Sequence, residues 1–426
     1  MFALSQRRSG YFGLIGVACL SLSVTYAAPG EVDEQWPRFR GPGGNGISSA
    51  QGLPAKWTES EVRWKVALPG KGHSSPVVWK GHVFVTSGND QTGERYVICV
   101  DAGKGAKVWE RKYPSRTFQQ NRDNSLATST PTVDDSGVYV YWTTPELIQV
   151  TALALDGEEK WAKNLGPFKS RHGSGASPVV LNRCVWINND QEGPSALLAL
   201  DAVSGQVKYT FERRTDKVSY GTPCLFTREG HADELIFAAS SHGLTSISPT
   251  DGRINWDCTN LFPARVVSSP ITSEGLVICS SGEGGVGRRL VAVRPPAGSK
   301  AAAVIYELKT GVPNVPTPLA KDGRLFLLCD NGLLRCLRTT TGEPLWQEKL
   351  PDRFYSSPVW AAGQLYLTSK SGTVFVVAAG DKYELIAQNE LGEPSFATPA
   401  IAQETLFFRT VSHLLAVRGK NISQSQ

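Results

Sequence analysis

Short apolar runs alternate with polar turns along almost the whole chain, and one signal recurs within that alternation. A Ser or Thr is followed by Pro and then by aliphatic residues: HSSPVV at Pro76, TSTPTV at Pro131, GASPVV at Pro178, YGTPCL at Pro223, VSSPIT at Pro270, VPTPLA at Pro318, YSSPVW at Pro358 and FATPAI at Pro399. The intervals are 55, 47, 45, 47, 48, 40 and 41 residues. After each Pro comes an apolar strand such as GHVFVTS, NRCVWIN or GRLFLLC, then a polar turn and a second strand, as in RYVICVDAGKGAKVW and LLRCLRTTTGEPLW. Runs this short, bounded by Gly and polar turns, read as strands rather than helices.

A second ladder keeps step with the first. It comprises Trp64, Trp109, Trp161, Tyr209, Trp256, Tyr306 and Trp346, with YELIAQNEL around Ile386 standing in the eighth place. Two ladders in phase, with four short strands per unit, predict an all-β, eight-bladed β-propeller of four-stranded antiparallel blades. The last unit supplies only three strands before the chain ends, whereas Glu61 to Lys65 is an orphan aromatic strand ahead of the first unit. The ring is therefore expected to close through the N-terminal strand, removing a free sheet edge. This divides the chain into a leader at 1–27, a lead-in at 28–60, the propeller at 61–418 and a tail at 419–426.

The Ser/Thr-Pro entry, the strand ending in Asp and the turns DAVSGQVKY and RTTTGEPLW resemble the pyrroloquinoline-quinone-like propeller repeat family over about Val62 to Arg418. The string EQWPRFRGPGGNGIS resembles the lead-in of exported bacterial propellers with these repeats. The resemblance implies that Trp64, Trp109, Trp161, Trp256 and Trp346, with Tyr209 and Tyr306 as substitutes, dock between adjacent blades. The family has two branches. One holds calcium-dependent quinoprotein dehydrogenases acting on alcohols or sugars; the other holds non-catalytic propellers that include the outer-membrane assembly lipoprotein BamB. Removing a 27-residue leader leaves about 50 residues per blade, no Cys-Cys dipeptide occurs, and the calcium-ligating and catalytic motifs of the dehydrogenases cannot be located. The expectation is a non-catalytic scaffold with no cofactor that binds a protein or a cell-envelope component through its ring face. A dehydrogenase using the quinone PQQ and Ca²⁺ is the alternative.

Composition narrows the setting. Lys and Arg number 44 against 39 Asp and Glu, a net charge of +5, too weak a field for a nucleic-acid binder. Arg7 and Arg8 precede the apolar run YFGLIGVACLSLSV, and Thr25-Tyr26-Ala27 follows, which reads as a secretory signal cleaved after Ala27. That run is too short to span a bilayer. Gly16-Val17-Ala18 ahead of Cys19 lacks the large aliphatic residue of a lipobox, which argues against a lipid anchor there. A monomer exported to the periplasm or cell surface is expected. The cysteines outside the leader are scattered without metal-ligand spacing. A two-residue Asn-Gly turn between Cys329 and Cys336 would pair Cys329 with Leu334 and Cys336 with Leu327, leaving the two cysteines diagonal and beyond normal disulfide reach.

Candidate binding residues follow from topology. In a propeller the segment before each innermost strand opens around the axis on one face. This gathers Lys71, His73, Arg122 with Asp123, Arg171, His172, Tyr220, Arg265, Asn314, Arg353, Tyr355 and Phe396 into a basic and aromatic set. His73 and His172 come from different blades and lack an adjacent carboxylate motif, so no metal site is expected. The insertion from Tyr113 to Ser125 is placed to cover the axis, and the Gly-rich GEGGVGRR from Gly282 joins two strands instead of opening a helix, which excludes a phosphate loop.

Overall fold

Each Ser/Thr-Pro step opens a three-residue innermost strand: Val77–Trp79 in the first blade, Thr132–Asp134 in the second, and so on to Ala400–Ala402 in the last. Proline favours this role because it restricts the residue before it to extended backbone and has no N–H to leave unpaired at the axis. The computed structural model describes residues 35–297 and 301–419. The expected leader, Cys19 and the tail beyond Gly419 lie outside the described residues. Eight four-stranded antiparallel sheets form the ring. Seven contain four strands consecutive in sequence, and the eighth pairs the N-terminal strand Val62–Ala67 with His413–Arg418, Lys65 lying opposite Leu415. The predicted architecture and its closure are therefore observed. No helix among the described residues is long and apolar enough to cross a membrane.

The second and third strands of each blade are sandwiched between neighbouring blades, and Gly137–Thr144 is buried at every position. Apolar clusters accordingly bridge blades: Tyr139, Val150 and Ala152 of the second pack with Val185 and Leu200 of the third. Outer strands alternate, as in Glu159–Asn164, where Trp161 is the half-buried position. A register shift beside each ladder residue turns it towards the next blade; Cys99 faces Trp109, but Val100 faces Lys107. The indoles of Trp64, Trp109, Trp161 and Trp346 donate to the carbonyls of Ala102, Leu155, Ala202 and Gly380 in the following blade at 2.8–3.1 Å. The Tyr306 hydroxyl reaches the Thr339 carbonyl at 2.8 Å. Trp256 departs from the rule, donating to Glu234 of its own blade at 2.6 Å. Gly157, at φ 87°, lies flat under Trp109, where a Cβ would come within 2.7 Å of the ring.

Two expectations need correction. The eighth ladder position is Ala387, opposite Val376 beside the register shift, and Ile386 is an exposed neighbour. No aromatic of the outer strand fills this seam; the lead-in does. The Tyr366 hydroxyl donates to Pro54 O at 3.4 Å, Asn389 exchanges hydrogen bonds of 2.9 Å with Ala55 and Trp57, and Trp57 packs on Phe408. The second correction concerns register: Cys336 faces Phe326 and Leu327 faces Arg335. The turn there holds Asp330, Asn331 and Gly332, with the Gly332 N–H on the Cys329 carbonyl at 2.9 Å, so a third turn residue shifts the pairing by one. Both cysteines are free.

Around the axis, the Ser or Thr of every Ser/Thr-Pro step makes the same contact. The backbone N–H of Ser75 donates to the Thr130 hydroxyl, Thr130 to Ser177, Ser177 to Thr222, and Thr222 to Ser269, at 2.9–3.2 Å. Ser269 donates to Thr317, Thr317 to Ser357, Ser357 to Thr398, and Thr398 back to Ser75, at 3.0–3.1 Å. The belt is closed and joins all eight blades.

The lead-in crosses the channel beside the innermost strands. Trp36, 1% exposed, exchanges backbone bonds with Val78; Pro37 O accepts from Val133, Asn45 Oδ1 from Thr272, and Gly46 O from Trp360. Arg40 is fully buried, has no carboxylate partner among the described residues, and donates to the carbonyls of Gly44, Asn45, Pro318 and Pro358 at 2.8–3.2 Å. Arg38 donates to Pro223 O. Gly46, at φ 75°, leaves room for the Arg40 guanidinium 2.8 Å from where its Cβ would stand.

Two outcomes are expected. Thr222→Val leaves the Ser177 N–H unpaired in a buried site and should lower stability by about 1–3 kcal/mol, while Thr222→Ser keeps the bond. Equal urea midpoints for the two variants would show that the belt contributes nothing. Trp36→Ala should destabilise by roughly 3–5 kcal/mol, as large aromatic truncations in cores do, measurable as a fall in Tm.

Candidate functional site

With the lead-in across one end, the channel becomes a blind cup of about 520 Å³ that opens among the loops preceding the innermost strands. Phe39, held between the two buried arginines, contributes to its lining. Every hydroxyl residue of the belt except Thr317 lines it too. Of the residues expected at the face, His73, His172, Tyr220, Arg265, Asn314, Tyr355 and Phe396 line the cup. Lys71, Arg122, Arg171 and Arg353 do not; they are exposed on the rim, one or two positions from a lining residue. Among these rim cations Lys71 has Asp90 at 3.6 Å, whereas no ion pair engages Arg122, Arg171 or Arg353 among the described residues.

The two flanks of the cup differ. On one, the His73 ring stacks on Phe396 with centroids 4.4 Å apart, and Tyr355 meets Phe396 edge-on at 6.0 Å. Lys370 stands over Tyr355 at 4.2 Å and over Phe396 at 5.1 Å, and pairs with Asp123 at 3.2 Å. The Tyr355 hydroxyl donates to the same carboxylate at 3.1 Å. The Tyr113 to Ser125 insertion thus reaches over the mouth, carrying Asp123 to a blade far along the ring. Burial opposes ionisation of Asp123, yet hydrogen bonds from Lys370 and Tyr355 hold its carboxyl below the usual range. Burial, reinforced by the Asp123 charge, pushes the Tyr355 phenol up to about 12.

On the other flank, Arg265 lies 3.3 Å from Glu283 and 3.7 Å from Glu192. Lys217 donates to Glu283 at 2.6 Å, and this bond, together with Arg265, keeps the Glu283 carboxyl low. Among the described residues, Arg265 Nε and Asn314 Oδ1 are buried without a partner. The basic character expected of this face is therefore confined to the rim. Inside, Arg265, Lys370 and Lys217 are matched by Asp123, Glu283 and Glu192, because the loops between outer blade strands contribute groups that no Ser/Thr-Pro motif marks. Glu283 sits in the GEGGVGRR hairpin and Lys370 in a Lys-Ser-Gly turn, and neither position has a repeat signature that would announce it. Phe39 was within reach of the sequence only as part of the Gly-rich lead-in.

His73 and His172 both line the cup, but among the described residues no three His, Cys, Asp or Glu side chains come together as a metal ion would require. Burial first, then the nearby Arg409 charge, lowers the His73 pKa to about 3, with Asp123 offsetting part of the effect. Arg409 is itself buried, donating to Ser74, Thr86 and Ser87 across the closure between last and first blades.

A ring of eight repeat-built blades around a one-ended cup defines a propeller of the PQQ-like repeat class. The chain belongs to the family whose model is described as outer membrane protein assembly factor BamB, which matches residues 93–301 and 287–421. The outer membrane protein assembly factor BamB of Yersinia pestis is 23% identical over 333 residues, 74% of this chain and 78% of that protein. The crystal structure of BamB from Moraxella catarrhalis superposes with a TM-score of 0.59 at 13% identity, covering 85% of this chain and 99% of that one. The quinohemoprotein alcohol dehydrogenase of Comamonas testosteroni superposes at 0.62 with 12% identity, covering 92% and 82%. At such identities these two structures share the fold alone.

The neutral state of His73 has a consequence for stability. Its folded pKa lies below the ordinary 6.5, so its contribution is complete above pH 6.5 and declines as pH falls towards about 3, where the unfolded chain binds a proton that the folded chain does not. His73→Phe should therefore lose less stability between pH 6.5 and about 5, a window in which most carboxylates stay ionised. Parallel declines in the denaturation midpoints of both proteins would remove His73 as the source.

Proposed function

We propose that this protein is a non-catalytic scaffold of the cell envelope that docks a protein partner on the rim of its ring face. The observation that supports it most directly is the set of exposed guanidiniums of Arg122, Arg171 and Arg353 around a channel closed at its far end. Unpaired rim charges steer encounter and select a partner of opposite sign without needing to be buried. The chain's membership of a family named for an outer membrane assembly factor, and its similarity to the Yersinia pestis protein of that name, support an exported, envelope-associated setting.

The alternative, a PQQ- and Ca²⁺-dependent dehydrogenase, finds poor support in the residues present. A polyanionic quinone needs converging cations, whereas Arg265 faces two carboxylates and Lys370 is engaged by Asp123. Calcium takes six to eight oxygen ligands, roughly, from a cluster of carboxylates and carbonyls. Asp123 and Glu283 are held on opposite flanks by separate cations. The donor set does not fit either group.

Charge reversal tests the docking reading. Combined Arg122→Glu, Arg171→Glu and Arg353→Glu changes should abolish retention of envelope proteins by the immobilised propeller and leave Tm unchanged, since all three side chains are exposed. Retention by the unaltered protein should also fall as salt is raised from about 0.1 to 1 M, because exposed charge pairs are screened over that range. The same set of retained proteins with and without the substitutions would refute rim docking.

A further inference from the structure

The hydroxyl belt has a second property. Each of its oxygens accepts a backbone N–H from the neighbouring blade, and no protein acceptor takes the hydroxyl hydrogen among the described residues. A hydroxyl has one donor to place besides its acceptor lone pairs. The wall of the cup therefore carries a ring of unused O–H donors, and the flank opposite the His73–Phe396 stack adds Asn314 Oδ1 and Arg265 Nε, both unpartnered. Buried polar groups without partners are uncommon in folded proteins, and several around one cavity point to a polar occupant.

We infer that the cup is a binding site for the neutral end of a glycan. Three observations select this class. The wall mixes many hydroxyl donors with the acceptors Asp123, Glu283 and Asn314, which suits a ligand whose hydroxyls both donate and accept. The cations at the cup wall, Arg265, Lys217 and Lys370, are each held by Glu192, Glu283 or Asp123, and Arg40 beneath the floor donates its N–H groups to backbone carbonyls, so no wall cation is left to pair with a phosphate, a uronate or a charged peptide terminus. The cup is blind, with the lead-in across its far end, so it takes a chain end and cannot thread a chain. The end of a peptide carries a charge, whereas the non-reducing end of a neutral glycan carries only hydroxyls. The stacked His73 and Phe396 rings with Tyr355 supply the flat apolar wall against which the C–H face of a sugar ring packs. A volume near 520 Å³ holds about one or two sugar rings, within the range of small-ligand pockets. This site is separate from rim docking and stands whether or not the rim binds a protein.

The test is calorimetric titration of the full propeller with cellobiose, maltose and diacetylchitobiose, alongside a uronic-acid disaccharide and an unstructured peptide. At least one neutral disaccharide should saturate with a Kd of about 0.1–1 mM, a normal strength for a few hydrogen bonds and one stacked ring. Phe396→Leu, which keeps an apolar side chain but removes the ring face, should weaken that binding about tenfold, equivalent to 1.4 kcal/mol. Asn314→Ala should weaken it as well, and Lys104→Glu, in an exposed outer-strand turn that does not line the cup, should leave it unchanged. Thermal melts establish that each variant is folded, and ligand-observed NMR reports which sugar protons lie against the protein. No saturation by any neutral sugar at about 10 mM, undiminished binding by folded Phe396→Leu, or tighter binding of the uronate or the peptide would each overturn the assignment.

Discussion

A closed circle of hydrogen bonds around the axis, from the backbone N–H of one blade to the Ser or Thr hydroxyl of the next, is the constraint on which the rest of this structure depends. Each innermost strand is only three residues long and has one edge facing the channel, so the strand alone cannot fix the angle between blades. The hydroxyl bond fixes it at one point per interface, and proline holds the donor's backbone extended so that the contact repeats. Because the circle is closed, loss of one bond strains its neighbours as well. Trp64, Trp109, Trp161, Tyr306 and Trp346 perform the same service at the perimeter, where an indole or phenol bridges to a carbonyl of the following blade.

Closure is where the ladder loses its aromatic. At the seventh interface Ala387 stands where other blades have an aromatic, and residues Leu53 to Trp57 of the lead-in occupy that space before the chain enters Val62–Ala67 and completes the last sheet. The same lead-in, further towards its start, lies across the channel and buries Trp36, Arg38 and Arg40. Arginine suits this position because its planar fork can donate to several carbonyls of different blades at once. One segment thus seals the seam, plugs the channel and turns a pore into a cup.

The cup and its rim divide the chemistry between them. Charges inside are matched through short ion pairs and leave hydroxyl and aromatic groups to determine what enters. Charges outside are unmatched and exposed. That division follows from the loops: residues just before the innermost strands reach both zones, while Asp123, Glu283 and Lys370 arrive from insertions and outer turns to neutralise the interior.

By itself the sequence determined the blade count, the closure through the N-terminal strand and the ladder positions from which Trp64, Trp109, Trp161, Tyr306 and Trp346 bridge blades, because each rests on a local pattern repeated at a fixed interval. It also marked the loops that face the axis, and His73, Tyr220, Arg265, Tyr355 and Phe396 meet there as their positions before the Ser/Thr-Pro steps require. Tertiary structure alone decided which of those residues point inward, since Arg353 and Tyr355 are two apart in one loop and belong to different zones. It decided that Cys336 faces Phe326, because a third turn residue shifts register in a way that spacing does not reveal. It decided the role of the lead-in, whose contacts with blades far along the chain have no periodicity to betray them. The pairing of Asp123 with Lys370 and Tyr355 is of the same kind: charges that cancel across a ring are neighbours in space only, and no local pattern in the chain records them.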